Sequence, residues 1–169
     1  GGVGLLLIQM AKARGATVIT TVSTEEKAQL ARGVGADHVI NYESQDFQKE
    51  VMRITGDVGV NVAYDAVGVT TFDKSIESLA TRGYMVAYGQ ASGWPPPVPL
   101  AVLNRKSLFL TRPTLVSYTL TRDEIAMRSG EIFEAISAGT LNIAISRRFP
   151  MQEAAEAHRQ LEGRQTTGK

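Results

Sequence analysis

Gly1-Gly2-Val3-Gly4-Leu5-Leu6-Leu7-Ile8-Gln9-Met10-Ala11-Lys12-Ala13 carries a glycine turn straight into an apolar helix. Glycines let a backbone approach a pyrophosphate, and the helix start that follows presents N–H groups and a partial positive charge to it. Only the second half of a G-x-G-x-x-G pattern is visible, as Gly1-x-x-Gly4, so the stretch alone reads equally well as a plain tight turn. The order of elements downstream favours the phosphate-binding reading.

Residues 3–13 are apolar nearly all round, with Gln9 and Lys12 interrupting, as expected of a helix packed between a sheet and another layer, and Gly15 stops them. Residues 17–22, Thr-Val-Ile-Thr-Thr-Val, are rich in β-branched side chains and predict a buried strand. Ser23-Thr24-Glu25-Glu26 is a capping-box pattern that starts a helix carrying Lys27, Leu30 and Ala31. Strands over 38–41, 58–64 and 84–88 alternate with helices over 45–54 and 70–80. The stretch 91–99 contains Gly93 and Pro95, Pro96, Pro97 and Pro99, so it is a loop. A strand over 107–111 ends at Pro113, and Thr121-Arg122-Asp123-Glu124 opens a helix to about residue 138. Met151, Ala154, Ala155, His158 and Leu161 keep helical spacing behind Pro150. This alternation predicts an α/β fold, a Rossmann-type doubly wound parallel sheet. The strand that delivers such a turn is expected before Gly1 and a terminal strand after Lys169, so the 169 residues read as one domain of a longer chain.

A 43% hydrophobic, 21% charged composition is that of an ordinary globular domain. The 18 basic and 17 acidic residues are scattered and sum to +1, which leaves no electrostatic footprint for nucleic acid or an anionic membrane. No apolar run approaches the roughly 20 residues of a membrane span. The sequence has no cysteine, which excludes disulfides and thiolate metal ligands and is compatible with a cytoplasmic setting. His38 and His158 are too far apart in sequence to suggest a metal cluster.

The discriminating position lies after the second element. A chain that binds NAD places Asp or Glu at that strand end to accept from the ribose 2′-hydroxyl, but here the sequence is Thr20-Thr21-Val22-Ser23. Hydroxyls at Ser23 and Thr24 with Lys27 one turn later suit the additional phosphate of NADP. Ser23 also reads as a helix cap, Lys27 as a solvated residue and Tyr42 as a boundary aromatic, and Glu25 and Glu26 weaken the positive field. Val67-Gly68 and Tyr88-Gly89 each follow an apolar strand, the place where open α/β sheets bind ligands.

Together, Gly1-Gly2-Val3-Gly4, Ser23-x-x-x-Lys27, Val39-Ile40-Asn41-Tyr42, Tyr64-Asp65-Ala66-Val67-Gly68, Tyr88-Gly89, Thr111-Arg112-Pro113 and Arg164-x-x-Thr167-Gly168-Lys169 resemble the quinone oxidoreductase, or zeta-crystallin-like, branch of the medium-chain dehydrogenases over essentially the whole chain. The resemblance implies an NADPH-dependent reductase that passes a hydride to a quinone or activated enone, with a GroES-like domain upstream. It implies that Gly1, Gly2, Val3 and Gly4 hold the pyrophosphate and that Ser23, Lys27 and Tyr42 surround the 2′-phosphate. Val67, Gly68, Tyr88 and Gly89 would line the nicotinamide side, and Arg164 would approach the cofactor phosphates.

Asp65 reads better as a turn-fixing carboxylate than as a base, since no His, Ser or Cys stands near it in sequence to form a catalytic unit. Tyr64 and Tyr88 are not distinguished from strand-end side chains. No catalytic residue is assigned, which suits hydride transfer, where the cofactor does the chemistry. Three other classes remain: a zinc alcohol dehydrogenase with its metal ligands upstream, a methyltransferase, which normally wants an acid where Ser23 stands, and a non-catalytic nucleotide-binding protein. The isolated chain is expected to bind NADPH weakly or to aggregate. The resemblance also implies a homodimer through this domain, with residues 107–111 as the candidate edge strand; exposed Leu108-Phe109-Leu110 would otherwise invite aggregation. Phe109→Lys in the full-length protein is expected to weaken the dimer, and an unchanged mass by light scattering would refute this edge.

Overall fold

Parallel strands need crossovers, and each crossover here is helical or loop-rich. The computed structural model describes residues 1–163 in two compact units, Gly1–Glu43 with the chain from Met127 on, and Ser44–Ala126. In the first, α1 (Gly2–Ala13) leads to β1 (Ile19–Val22), α2 (Glu25–Gly33) and β2 (His38–Asn41). β1 and β2 pair in parallel from Ile19↔His38 to Val22↔Asn41. Ile8, Val22, Ala28 and Ala31 form the core, with Val18, Val34, Ala36 and Val39 around it. Ala28 and Ala31, three apart on one face of α2, are small enough to bring the helix onto its strand.

Helix α1 is less enclosed than its composition predicts. Only Ile8 is buried; Leu5, Leu6 and Leu7 are half-buried, and Val3 and Met10 are exposed. Its two polar interruptions are its tethers. The Gln9 side chain donates to the Asn142 carbonyl at 3.0 Å and accepts from the Asn142 N–H at 2.7 Å. Lys12 Nζ donates to the Asp37 carboxylate at 2.9 Å, and the same carboxylate accepts from Val18 N at 2.7 Å.

The second unit contains α3 (Phe47–Ile54), β3 (Val60–Asp65), α4 (Phe72–Glu77), β4 (Leu79–Ala87), α5 (Leu100–Asn104) and β5 (Phe109–Thr111). Its sheet has the order β3-β4-β5, all parallel. Phe72, Ile76, Leu79, Met85, Ala87 and Leu108 form its core, in which Leu79 and Met85 are completely enclosed. α6 (Arg122–Ser137) crosses the boundary between the units, and α7 (Ala154–Glu162) belongs to the first. The Thr121 capping box of α6 is formed in both directions, Glu124 N to Thr121 Oγ1 at 3.2 Å and Thr121 N to Glu124 Oε2 at 3.0 Å.

The α/β class and the parallel pairing agree with the sequence reading. The two sheets, β1-β2 in the first unit and β3-β4-β5 in the second, each run parallel with sequence-adjacent strands as neighbours. Two boundaries are corrected: the strand expected over 107–111 begins at Phe109, with Leu108, expected to be exposed, buried in the core instead, and a helix is shortened. The predicted helix over 70–80 ends at Glu77, and Leu79 and Ala80 already belong to β4. The apolar pair fits a helical period, but Leu79 is the register partner of Val60. The next pair is Val62↔Tyr84, so β4 bulges between them, with Arg82 at φ 62° and its N–H on the Lys106 carbonyl at 2.7 Å. The short helix α5 behind Pro99 is not foreseen by the proline-rich composition.

The Val18 N–H, and after it the Lys12 ammonium, hold the Asp37 carboxyl below its ordinary range. A carboxylate whose folded pKa is depressed stabilises the fold above its unfolded value, about pH 4, and loses that contribution as the pH falls through the folded value. Asp37→Asn is therefore expected to lower the thermal midpoint at neutral pH, with the difference closing on acidification. A gap that stays constant down to about pH 2 would contradict this tether.

Candidate functional site

Ser23 and Tyr42 in the first unit, and Val67-Gly68 and Tyr88-Gly89 in the second, stand just beyond the carboxyl ends of their strands, while Gly1 to Gly4 lie at the start of α1. In the first, Ser23 follows β1 directly and Tyr42 follows β2 directly; Tyr42 N donates to the Val22 carbonyl at 3.0 Å, so the two strand ends lie side by side. The cap of α2 is Thr24, whose hydroxyl accepts from Lys27 N at 3.3 Å. Ser23 is therefore not the cap. Its Oγ instead accepts from Lys27 Nζ at 3.1 Å.

No described ion pair involves Lys27. Glu25, which the sequence suggested would weaken the positive field, is held by Arg32 at 2.7 Å. The result is an ammonium and a hydroxyl in contact at a helix start, with Tyr42 45% exposed on the adjacent strand end. At the start of α1, a Cβ on Gly1 or Gly4 would meet nothing within 4 Å. A helix start whose first N–H groups have no intrahelical acceptor suits a phosphate.

In the second unit, Val67-Gly68 and Tyr88-Gly89 are two interlocked turns. Gly68 has φ +95°, and a Cβ there would stand 2.2 Å from the Gly93 carbonyl oxygen; one on Gly89 would stand 2.5 Å from that of Ala66. Ser92 completes the lock. Its N–H and its hydroxyl both donate to the Val67 carbonyl, each at 2.7 Å, and its oxygen accepts from Thr70 N at 3.2 Å. Beneath the turn lies Asp65, 5% exposed, with its carboxylate fully engaged by neighbouring donors. It fixes the turn, as its sequence context suggests. Burial, and then the negative charge of Asp65, push the Tyr88 phenol above its usual range and keep it protonated.

The sequence did not disclose Ser92, which meets Val67 across 25 positions. Arg112, singled out only within Thr111-Arg112-Pro113, donates to the Ala87 carbonyl and to Gln90 Oε1 while lying over the Trp94 ring at 4.4 Å, contacts with no local sequence signal. Thr71 and Ser75 had a local signal, hydroxyls one turn apart at the helix start that follows a strand-end acid. Arg164 lies outside the described residues. Among those described, no three His, Cys, Asp or Glu side chains are grouped to hold a metal, and no helix is long and apolar enough to cross a membrane.

Gly68→Ala is expected to destabilise the fold by more than the roughly 1–3 kcal/mol of a strained backbone conformation, because the added carbon also overlaps a carbonyl. Denaturant unfolding measures this, and a loss below about 1 kcal/mol would show that the two turns part easily.

Residues 2–137 match the family described as zinc-binding dehydrogenase. The 2-haloacrylate reductase of a Burkholderia species is 47% identical over 99% of this chain and 51% of its own length. Quinone oxidoreductase 1 of Escherichia coli strain K12 is 43% identical over 99% of this chain and 52% of its own. The crystal structure of the Escherichia coli quinone oxidoreductase complexed with NADPH superposes with a TM-score of 0.93, at 43% identity, covering 99% of this chain and 52% of that one. The chain thus spans about half the length of the relatives it matches. With strand-end turns, parallel pairing and sequence all in agreement, the chain belongs to the zinc-binding dehydrogenase family, on its quinone oxidoreductase side.

Proposed function

We propose that this chain carries the NADPH-holding portion of a cytoplasmic reductase that transfers a hydride to a quinone or another activated enone. The observation that carries the cofactor choice is the Ser23–Lys27 contact at a strand end without a carboxylate. A hydroxyl and an ammonium favour a 2′-phosphate, whereas an acid there would repel it. The relatives named above act on quinones and on a 2-haloacrylate, both electron-poor alkenes conjugated to a carbonyl or carboxylate group, which supports this substrate class.

In this reading Gly1, Gly2, Val3 and Gly4 present helix-start N–H groups to the pyrophosphate, and Ser23, Lys27 and Tyr42 take the 2′-phosphate. Arg164 is assigned to the cofactor phosphates by family resemblance alone. Val67, Gly68, Tyr88 and Gly89 form the nicotinamide side. When bound, the dihydronicotinamide supplies the hydride; the residues bind, orient and exclude water. Tyr88, protonated through the neutral range, keeps its phenol O–H as a donor on that side. Dimerisation through β5 is part of the proposal: it is the outer strand of its sheet among the described residues, with Phe109 and Leu110 exposed and Phe109 stacked on Tyr84 at 4.4 Å.

Charge-assisted hydrogen bonds contribute about 1.5–3 kcal/mol each. Lys27→Ala in the full-length enzyme is therefore expected to raise KM for NADPH by about 10- to 100-fold, with kcat and the KM for NADH little changed. Equal losses with both cofactors would refute the 2′-phosphate assignment.

A further inference from the structure

We propose that Asp65 is a positioning residue for hydride transfer, its carboxylate fixing the Val67-Gly68 turn as a rigid wall for the nicotinamide ring. The inference rests on the assignment of that turn to the nicotinamide side made above.

The geometry is complete within one unit. Asp65 Oδ1 accepts from Val67 N at 2.7 Å and Gly68 N at 3.0 Å. Oδ2 accepts from the hydroxyls of Thr71 and Ser75, each at 2.8 Å. The main-chain carbonyl of the same residue accepts from Tyr88 N at 2.9 Å and Gly89 N at 3.2 Å. One residue therefore joins the end of β3, the turn, the start of α4 and the second nicotinamide-side turn. A buried carboxylate is stable when donors satisfy it, and four donors converge on this one.

These bonds have a consequence for the surface that the turn presents. Both N–H groups of Val67 and Gly68 point inward to Asp65, the Val67 carbonyl is taken by Ser92, and the Gly68 carbonyl by the N–H groups of Thr71 and Phe72. The turn meets a ligand with the Val67 side chain, 38% exposed, rather than with backbone donors. A wall that acts by shape works only while it stays in place, and a displacement of about 1 Å can reduce a transfer rate by about 100-fold. Asp65 acts through that wall and takes no proton.

The test uses the full-length protein with NADPH and a quinone acceptor, comparing the parent with Asp65→Ala and Asp65→Asn. The alanine variant is expected to lower kcat by about 100-fold while the NADPH dissociation constant, read by cofactor fluorescence, changes by less than about threefold. The primary isotope effect with 4-deuterated NADPH should rise as hydride transfer becomes limiting. Asn retains an acceptor for the two turn N–H groups and should recover about tenfold of the loss. If Asp65→Ala does not fold, the Asp65→Asn isotope effect and the double variant Thr71→Val/Ser75→Ala carry the test, each expected to lower kcat at unchanged NADPH affinity. A folded Asp65→Ala with kcat within threefold of the parent overturns the inference. So do the replacement variants if they leave kcat and isotope effect at parent values. A parent that binds NADPH but oxidises it with no quinone or enone overturns the functional reading itself, and the inference with it.

Discussion

Parallel strand pairing is the constraint from which the functional geography follows. All three pairings among the described residues are parallel, so within each sheet every strand delivers its next residue to the same edge. Ser23 and Tyr42 share one such edge, and Ala66 and Tyr88 another. Residues distant in sequence become neighbours there without any requirement for direct sequence signals. The edge is also where backbone groups run out of ladder partners, so polar side chains must satisfy them. Asp65 does this in one unit and the Ser23–Lys27 pair stands at the equivalent place in the other.

The two places solve opposite problems. Around Asp65 every donor is committed inward, which gives a turn of fixed shape and no spare valence. Around Lys27 the ammonium has a hydroxyl neighbour and no carboxylate among the described ion pairs, the arrangement on which the proposed 2′-phosphate assignment rests. In the proposed function these are the two things a protein supplies when a cofactor performs the chemistry: placement of the ring and recognition of its tail.

What was legible in the sequence was what is decided locally. The β-branched run 17–22, whose Ile19–Val22 is β1, is read correctly because strand preference is written in its own side chains, and the Thr121–Glu124 box because its partners lie three residues apart. Gly68 and Gly89 were legible as strand-end turns, while the reason that each must be glycine, a carbonyl from another turn, was not. The start of β4 failed for the same cause: Leu79 obeys a helical period and is claimed by Val60 through pairing. The capping box at residues 23–26 was misplaced by one position, because extended backbone at Thr24, φ −143° and ψ 157°, makes it the cap.

That one-residue shift has an evolutionary consequence. Thr24 holds the helix, a role in which capping residues contribute about 0.5–2 kcal/mol, and Ser23 has no share in it. On the proposed 2′-phosphate assignment, stability and cofactor discrimination rest on adjacent but separate side chains. Under that assignment, exchanging Ser23 for an acid would shift the preference between dinucleotides while leaving the Thr24 cap of α2 in place.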